Sequence, residues 1–185
     1  MKLHLGCGRV DIPGFYNVDL SEHKHVHLKA DIRNLHMFEN NSVDLIYVSA
    51  VFQYFDRQQG VQCLKEWNRI LKKGGILRLS TVDFDKLLEV YEKTNKNLNY
   101  IIGPMYGRMG VFDKSGNVIE KIYHRTVYNK KEIVQILKDC GYNNIESYDW
   151  KDLIHNEYDD QSQSYFPHME KENGIHIMQN LQATK

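Results

Sequence analysis

Leu3-His4-Leu5-Gly6-Cys7-Gly8 and, a few residues on, Phe15-Tyr16-Asn17-Val18-Asp19 form the stretch that decides the fold. An apolar run breaks directly into two glycines one residue apart, and a second apolar run ends on a carboxylate. Glycines straight after a strand let the backbone approach a ligand where a side chain would collide, and they adopt turn conformations that a Cβ penalises. A carboxylate at the tip of the next strand faces the same crevice. In open α/β sheets that crevice lies beyond the carboxyl ends of the strands and takes nucleosides, the acid accepting from ribose hydroxyls. The spacing also disfavours one ligand class. A dinucleotide fingerprint needs a third glycine three residues after the second, opening a helix whose N-terminus takes the pyrophosphate; here that place is Asp11, which repels phosphate. Between Leu5 and Phe15 there is little room, and Pro13-Gly14 use part of it, so the first crossover helix is expected to shrink to a turn or two.

Downstream, the alternation of strand and helix continues. His25 to Ala30 reads as a weak strand ending at Asp31, which either offers a second acceptor at the crevice or caps the turn before Leu35. Val43 to Val48 is a nearly continuous apolar run of the kind buried between helical layers, so it predicts the central strand. Asp56 can cap a helix running to about Lys72, with Gly74-Gly75 as its stop and the strand Ile76 to Thr81 after it. Residues 98–123 interrupt the pattern with Gly103, Gly107, Gly110 and a hairpin turn at 113–117, and read as a lid or as a plain surface loop. Asn129 with Glu132 makes a capping box for a helix ending at Gly141. Ile145 to Trp150 and Ile175 to Ala183 then close the sheet as an antiparallel pair.

Composition bounds the rest. A chain of 185 residues fits one domain, 1–185, able to bury on the order of 70% of its unfolded surface. Twenty-four basic residues balance 24 acidic ones without forming a stripe, so no nucleic acid is expected as partner. Cys7, Cys63 and Cys140 are odd in number and far apart, which argues for reduced cysteines in a cytoplasmic protein rather than disulfides or a zinc knuckle. No run approaches the ~18 apolar residues of a membrane span, so no membrane partner is expected. His23, His25 and His27 alternate on one face of an extended segment, but the outer two would lie ~13 Å apart and cannot share a metal. The only tight carboxylate pair, Asp159-Asp160, is consecutive in sequence, so its side chains can diverge, and no metal is expected.

The segment LHLGCG…NVD resembles the first motifs of the class I S-adenosylmethionine-dependent methyltransferases, whose cofactor has no phosphate. The passage RILKKGGILRLST is similar to the LKPGG segment of that family, with Lys73 where proline is usual. PGFYNVD, VDFDKLLEVY, YHRTVYNKKEI and DDQSQSYFPHMEKENG resemble a small group of these enzymes found among bacterial surface-polysaccharide genes. The resemblance implies a Rossmann-like α/β sheet, mostly parallel with an antiparallel C-terminal strand, a truncated first helix and an inserted lid. It implies S-adenosyl-L-methionine as cofactor, held by Leu5, Gly6, Cys7, Gly8, Asp19, Asp31, Ile32 and Ser49. It further implies methyl transfer to a hydroxyl of a small polar acceptor, a carbohydrate or nucleotide-activated precursor, in polysaccharide biosynthesis. Tyr54 stands where the family often has histidine, so it is expected to orient the acceptor rather than take its proton. His124 is the expected base, with Asp83 and His168 contacting the acceptor or orienting that base. Two other functions stay open. One is a binding protein of this fold without catalysis, the other a nicotinamide-dependent reductase or epimerase, disfavoured by Asp11 and by the lack of any Tyr-x-x-x-Lys pair. The oligomeric state is not legible.

Overall fold

The computed structural model describes every residue, Met1–Lys185. In chain order the elements are β1 (Lys2–Leu5), β2 (Tyr16–Asp19), β3 (Leu28–Lys29), β4 (Val43–Ser49), α1 (Arg57–Ile70), β5 (Leu71–Val82) and α2 (Phe84–Lys93). There follow α3 (Ile102–Tyr106), β6 (Arg108–Phe112), β7 (Val118–Tyr123), α4 (Lys130–Asp139), β8 (Asn143–Ser147), β9 (Tyr165–Phe166), β10 (Ile175–His176) and β11 (Met178–Thr184). Seven strands form one sheet in the order β3-β2-β1-β4-β5-β11-β8. The first five are parallel, and β11 runs antiparallel to both neighbours. Two-stranded pairs β6-β7 and β9-β10 stand outside it.

Strand alternation sorts side chains onto two faces. One carries Leu3, Leu5, Val18, Ile46, Val48, Leu77, Leu79, Leu181 and Ala183, all buried, and packs against Cys63, Leu64, Trp67 and Ile70 of α1 and Ile133 and Leu137 of α4. The other carries His4, Asn17, Tyr47, Ser80 and Asn180, also buried. No helix covers that side of β1 and β4. Ile12 and Phe15 of the first crossover and Leu153 of the long β8–β11 connection pack there against Tyr47.

Several local expectations need correction. The first crossover holds no helix at all, only turns closed by Val10 N donating to Cys7 O and Phe15 N donating to Ile12 O. β3 is two residues long because 23–26 turns, with Val26 N donating to His23 O. The three histidines therefore do not share an extended face: His25 Nε2 lies 2.9 Å from Gly8 O, and His27 stacks on Tyr16. The helix after Asp56 stops at Ile70, before the paired glycines, because buried Leu71 already pairs with Val43. Gly74, at φ +73°, instead shapes a bulge in β5. The capping box at Asp56 is complete through Gln59. At Asn129 only the asparagine half forms, since the Glu132 carboxylate pairs with Arg57. β8 ends at Ser147, earlier than expected, and Ile175–His176 pairs with β9 rather than extending β11. No helix is long and apolar enough to cross a membrane.

Candidate active site

A cavity of about 740 Å³ lies at the carboxyl ends of β1, β2 and β4. Its floor starts with the glycine loop. Gly6 sits at φ +67°, and a Cβ there would fall 2.4 Å from a methyl of Val51, so only glycine lets the loop pass under the chain that leaves β4. Gly8, at φ +54°, lines the cavity with open space where a Cβ would stand. Asp19 ties this loop to β2: Gly8 N donates to Oδ2 at 2.8 Å and Ser21 N to Oδ1 at 2.7 Å. A carboxylate has about four lone-pair sites, so acceptor capacity remains at the cavity wall.

Asp31 follows β3 at the same end of the sheet. It caps its turn, with Arg33 N donating to Oδ1 at 2.9 Å, and it lines the cavity. Burial would raise its pKa, but the Arg33 guanidinium, bonded to both oxygens, outweighs this and holds the carboxyl below its ordinary value. Ile32, Ser49 and Cys7 also line the cavity. Burial pushes the Cys7 thiol up to about 12, so it is a small apolar wall rather than a nucleophile. The Ser49 hydroxyl is buried without a partner. Leu5 departs from expectation: its side chain is fully buried in the helix-covered core and does not line the cavity.

The 98–123 insertion roofs the cavity. The β6-β7 hairpin contributes Met109, Val111, Phe112, Glu120 and Ile122 to the lining. Its far end is latched to the loop after β2, where Phe112 N donates to Ser21 Oγ at 3.2 Å and Glu22 N to Phe112 O at 2.9 Å. The Arg9 guanidinium lies 5.0 Å from the Phe112 ring centre and adds a cation–π contact to the latch.

Of the four residues expected to act on the acceptor, only Tyr54 lines this cavity. Burial raises its phenol to about 12, which keeps it a neutral hydrogen-bonding group. His124 stands one ring behind it, edge-on at 4.6 Å. The His124 ring contacts the Pro104 carbonyl from Nδ1 at 2.8 Å, so Nδ1 carries the proton, and the ring packs against Gly107, where a Cβ would fall 2.7 Å from Cε1. Burial lowers its pKa. These contacts tie His124 to the 98–123 insertion, and it is not among the residues that line the cavity, where the base was expected. Asp83 caps α2 through Asp85 N at 3.0 Å, and His168 lies in a separate cavity of about 210 Å³ with Leu87 and Pro104.

Sequence reasoning missed Arg9, Arg125 and Glu120 and weighed Asp160 only as a metal ligand; all four stand in the cavity wall. Arg9 and Arg125 have no carboxylate partner, Arg125 making only a 3.4 Å bond to Gln59 Oε1. Arg9 follows Gly8 directly, so its place beside the ligand was open to sequence reading; Arg125 and Asp160 reach the cavity only through tertiary folding. Asp159 and Asp160 diverge, the first pairing with Lys171 at 3.4 Å and the second turning inward to Tyr47. No group of three or more His, Cys, Asp or Glu converges as a metal site.

The sheet order, the loop after β1 and the acid ending β2 define a Rossmann-like fold of the class I methyltransferase type. Residues 13–79 match the family model of a methyltransferase domain. A solved S-adenosylmethionine-dependent methyltransferase from Archaeoglobus fulgidus aligns over 100% of this chain and 85% of its own, with TM-score 0.61 and 14% identity. One from Thermotoga maritima, described as a possible histamine N-methyltransferase, aligns over 100% and 81%, with TM-score 0.58 and 20% identity. The 1,6-didemethyltoxoflavin-N1-methyltransferase of Burkholderia thailandensis, solved with S-adenosylhomocysteine, aligns over 100% and 70%, with TM-score 0.57 and 11% identity. At these identities the likeness is one of fold. Among curated proteins, malonyl-[acyl-carrier protein] O-methyltransferase 1 of Coxiella burnetii is 28% identical over 145 residues, 74% of this chain and 50% of the relative. The chain thus spans about half the length of the curated relative it matches. The likeness is thus to a methyltransferase domain and its fold, and the cofactor named for these solved neighbours is S-adenosylmethionine. The residues present fit that group: a glycine cradle open toward the cavity, a tethered carboxylate with spare acceptor capacity in Asp19, and the unpartnered hydroxyl of Ser49.

Proposed function

We propose that this protein moves a methyl group from S-adenosylmethionine to an oxygen of a small polar acceptor, a sugar or nucleotide-activated precursor of surface-polysaccharide biosynthesis in the cytoplasm. The observation that carries the reading is the Gly6–Gly8 loop tied to Asp19 under a latched roof, with no phosphate-binding helix start after it. The bound cofactor supplies an electrophilic sulfonium methyl. Asp19 accepts from the ribose, and Asp31 and Ile32 form the wall for the adenine. The hairpin excludes water from the reacting centre, and Tyr54 offers a neutral hydroxyl that orients the acceptor. Arg9 and Arg125, free of carboxylate partners, support an acceptor bearing phosphate or carboxylate groups.

A second reading is favoured by the curated relative, whose name gives malonyl-[acyl-carrier protein] as substrate: the acceptor oxygen belongs to a carboxylate, which needs no base. Mass spectrometry of nucleotide sugars and of small dicarboxylic acids incubated with protein and S-adenosylmethionine separates the two. A mass gain of one methylene unit on a nucleotide sugar supports the first, and on a dicarboxylate alone the second. Tight cofactor binding with no product from either panel favours the non-catalytic reading that Tyr54, in place of histidine, keeps in view.

A further inference from the structure

Asp160 is the one buried carboxylate of the chain, 7% exposed, and it forms no ion pair. Tyr47 Oη donates to its Oδ2 at 2.5 Å, and Ser162 N donates to its Oδ1 at 2.7 Å. Both bonds hold the group in place, yet neither neutralises it. A buried charge without a counter-charge is costly, and such groups are normally paired. The basic side chains around it are engaged elsewhere, Arg78 over the Tyr148 ring and Lys171 on Asp159, and none forms an ion pair with it. His4, also in the cavity wall, is 2% exposed, its Nδ1 has no partner, and burial drives it down to about 3, so it stays neutral. His155, packed on Tyr47 at 4.8 Å, is likewise pushed below its ordinary value by burial.

The side of Asp160 left open to a cation is the cavity it lines. The strand order says which part of a ligand arrives there. Asp31 follows β3, Asp19 ends β2, the glycine loop follows β1, and Asp160 is bonded to Tyr47 of β4, whose partner on β1 is His4. A nucleoside with its ribose at Asp19 and its base toward Asp31 directs its remaining arm across the glycine loop toward His4 and Asp160. In an S-adenosyl cofactor that arm is an amino acid, and it ends in an ammonium group.

Resting on the S-adenosylmethionine reading, we propose that Asp160, carried in by the β8–β11 connection and braced by Tyr47, receives the α-ammonium of the cofactor. The connection thereby does two jobs: it covers the helix-free face of β1 and β4, and it selects ligands with a charged amino-acid end. The orphaned Nδ1 of His4 sits beside the same arm as a further polar contact.

The test is calorimetry with three probes on the full chain. S-adenosylhomocysteine carries the ammonium, its deaminated analogue replaces only that group by hydrogen, and 5′-methylthioadenosine lacks the whole amino-acid arm. The wild type is expected to bind the deaminated analogue at least tenfold more weakly than S-adenosylhomocysteine. Asp160→Asn is expected to weaken S-adenosylhomocysteine by at least tenfold, to leave methylthioadenosine unchanged and to cost the deaminated analogue nothing further. Tyr47→Phe should act in the same direction by a smaller factor. Equal binding of S-adenosylhomocysteine and its deaminated analogue by the wild type overturns the proposal, even if Asp160→Asn fails to fold. Unchanged S-adenosylhomocysteine affinity in a folded Asp160→Asn overturns it too and hands the carboxylate to a cation on the acceptor. If the wild type binds none of the probes, the cofactor reading itself fails, which is a different result.

Discussion

The two faces of the central sheet are built on opposite principles. On one, Leu3, Leu5, Ile46, Val48, Leu77 and Leu79 meet α1 and α4 in a cluster of 23 buried apolar residues. On the other, the same strands present His4, Asn17, Tyr47 and Ser80, and the apolar cluster there, Ile12, Phe15, Tyr47 and Leu153, counts only four buried residues. Most of the buried polar atoms without partners belong to the second face or to the connection over it: His4 Nδ1, Asn17 Oδ1, Ser80 Oγ, Tyr148 Oη, His155 Nε2 and Asn180 Oδ1. Unsatisfied buried groups cost roughly 1–3 kcal/mol each, so the first face must supply the stability that the second spends. The cavity lies along the rim between them.

The sharpest challenge to this contrast is Trp67→Ala on the apolar face. Trp67 is fully buried, and its Nε1 donates to Ile32 O at 2.9 Å. Truncation should cost about 3–5 kcal/mol in urea denaturation, the usual range for a buried aromatic. A loss under about 1 kcal/mol would mean that this face does not carry the fold. Next in size is Asp19→Ala at the rim, which removes a charged acceptor and should weaken S-adenosylhomocysteine by about 1.5–3 kcal/mol in calorimetry, with a lowered melting temperature from the lost bonds to Gly8 N and Ser21 N. Unchanged affinity would take Asp19 out of the site.

The polar face predicts a pH dependence. Burial, reinforced by the neighbouring His155, lowers His4 from 6.5 to about 3. Between those values the unfolded chain binds a proton that the folded chain refuses. Stability is therefore lost as pH falls below about 6.5 and goes on falling toward 3. His124, His155 and His176, also lowered by burial, act in the same direction. Comparing wild type with His4→Phe isolates the one residue: the variant should lose about 2 kcal/mol less between pH 6.5 and 4.5. Identical pH profiles would mean that His4 takes up its proton without unfolding this face.

Smaller effects probe the roof. His124→Ala should cost no more than about tenfold in turnover, roughly 1.4 kcal/mol, with faster amide exchange in residues 108–123. A loss of 100-fold or more with an unchanged hairpin would restore His124 as the base. The smallest expected change is none at all: activity should survive a chelator, since Asp159 and Asp160 point apart. Loss in chelator and recovery with magnesium would contradict that.

What could be read in the sequence follows from where its physics is local. The glycine loop, Asp19, the apolar run of β4, the Asp56 helix cap and the turn at 113–117 each depend on neighbours close in sequence, and all are in the structure. The stop of α1 was misplaced because a pair of glycines looks like a helix end, whereas pairing of Leu71 with Val43, 28 positions away in sequence, extends the strand first. The inward turn of Asp160 was invisible for the same reason: its partner Tyr47 is 113 residues away. His124 illustrates the converse. Its place after the insertion suggested an acceptor contact, but the bond to Pro104 that ties it to the roof is a matter of tertiary geometry.

The central claim is that the rim between the two faces holds an S-adenosyl cofactor and not a dinucleotide. Titration calorimetry of the wild type with S-adenosylhomocysteine, alone and then in the presence of saturating NAD or NADP, tests it directly. The account predicts saturable binding of one ligand per chain, undiminished by either dinucleotide. Absence of binding, or displacement by NAD or NADP, would contradict it.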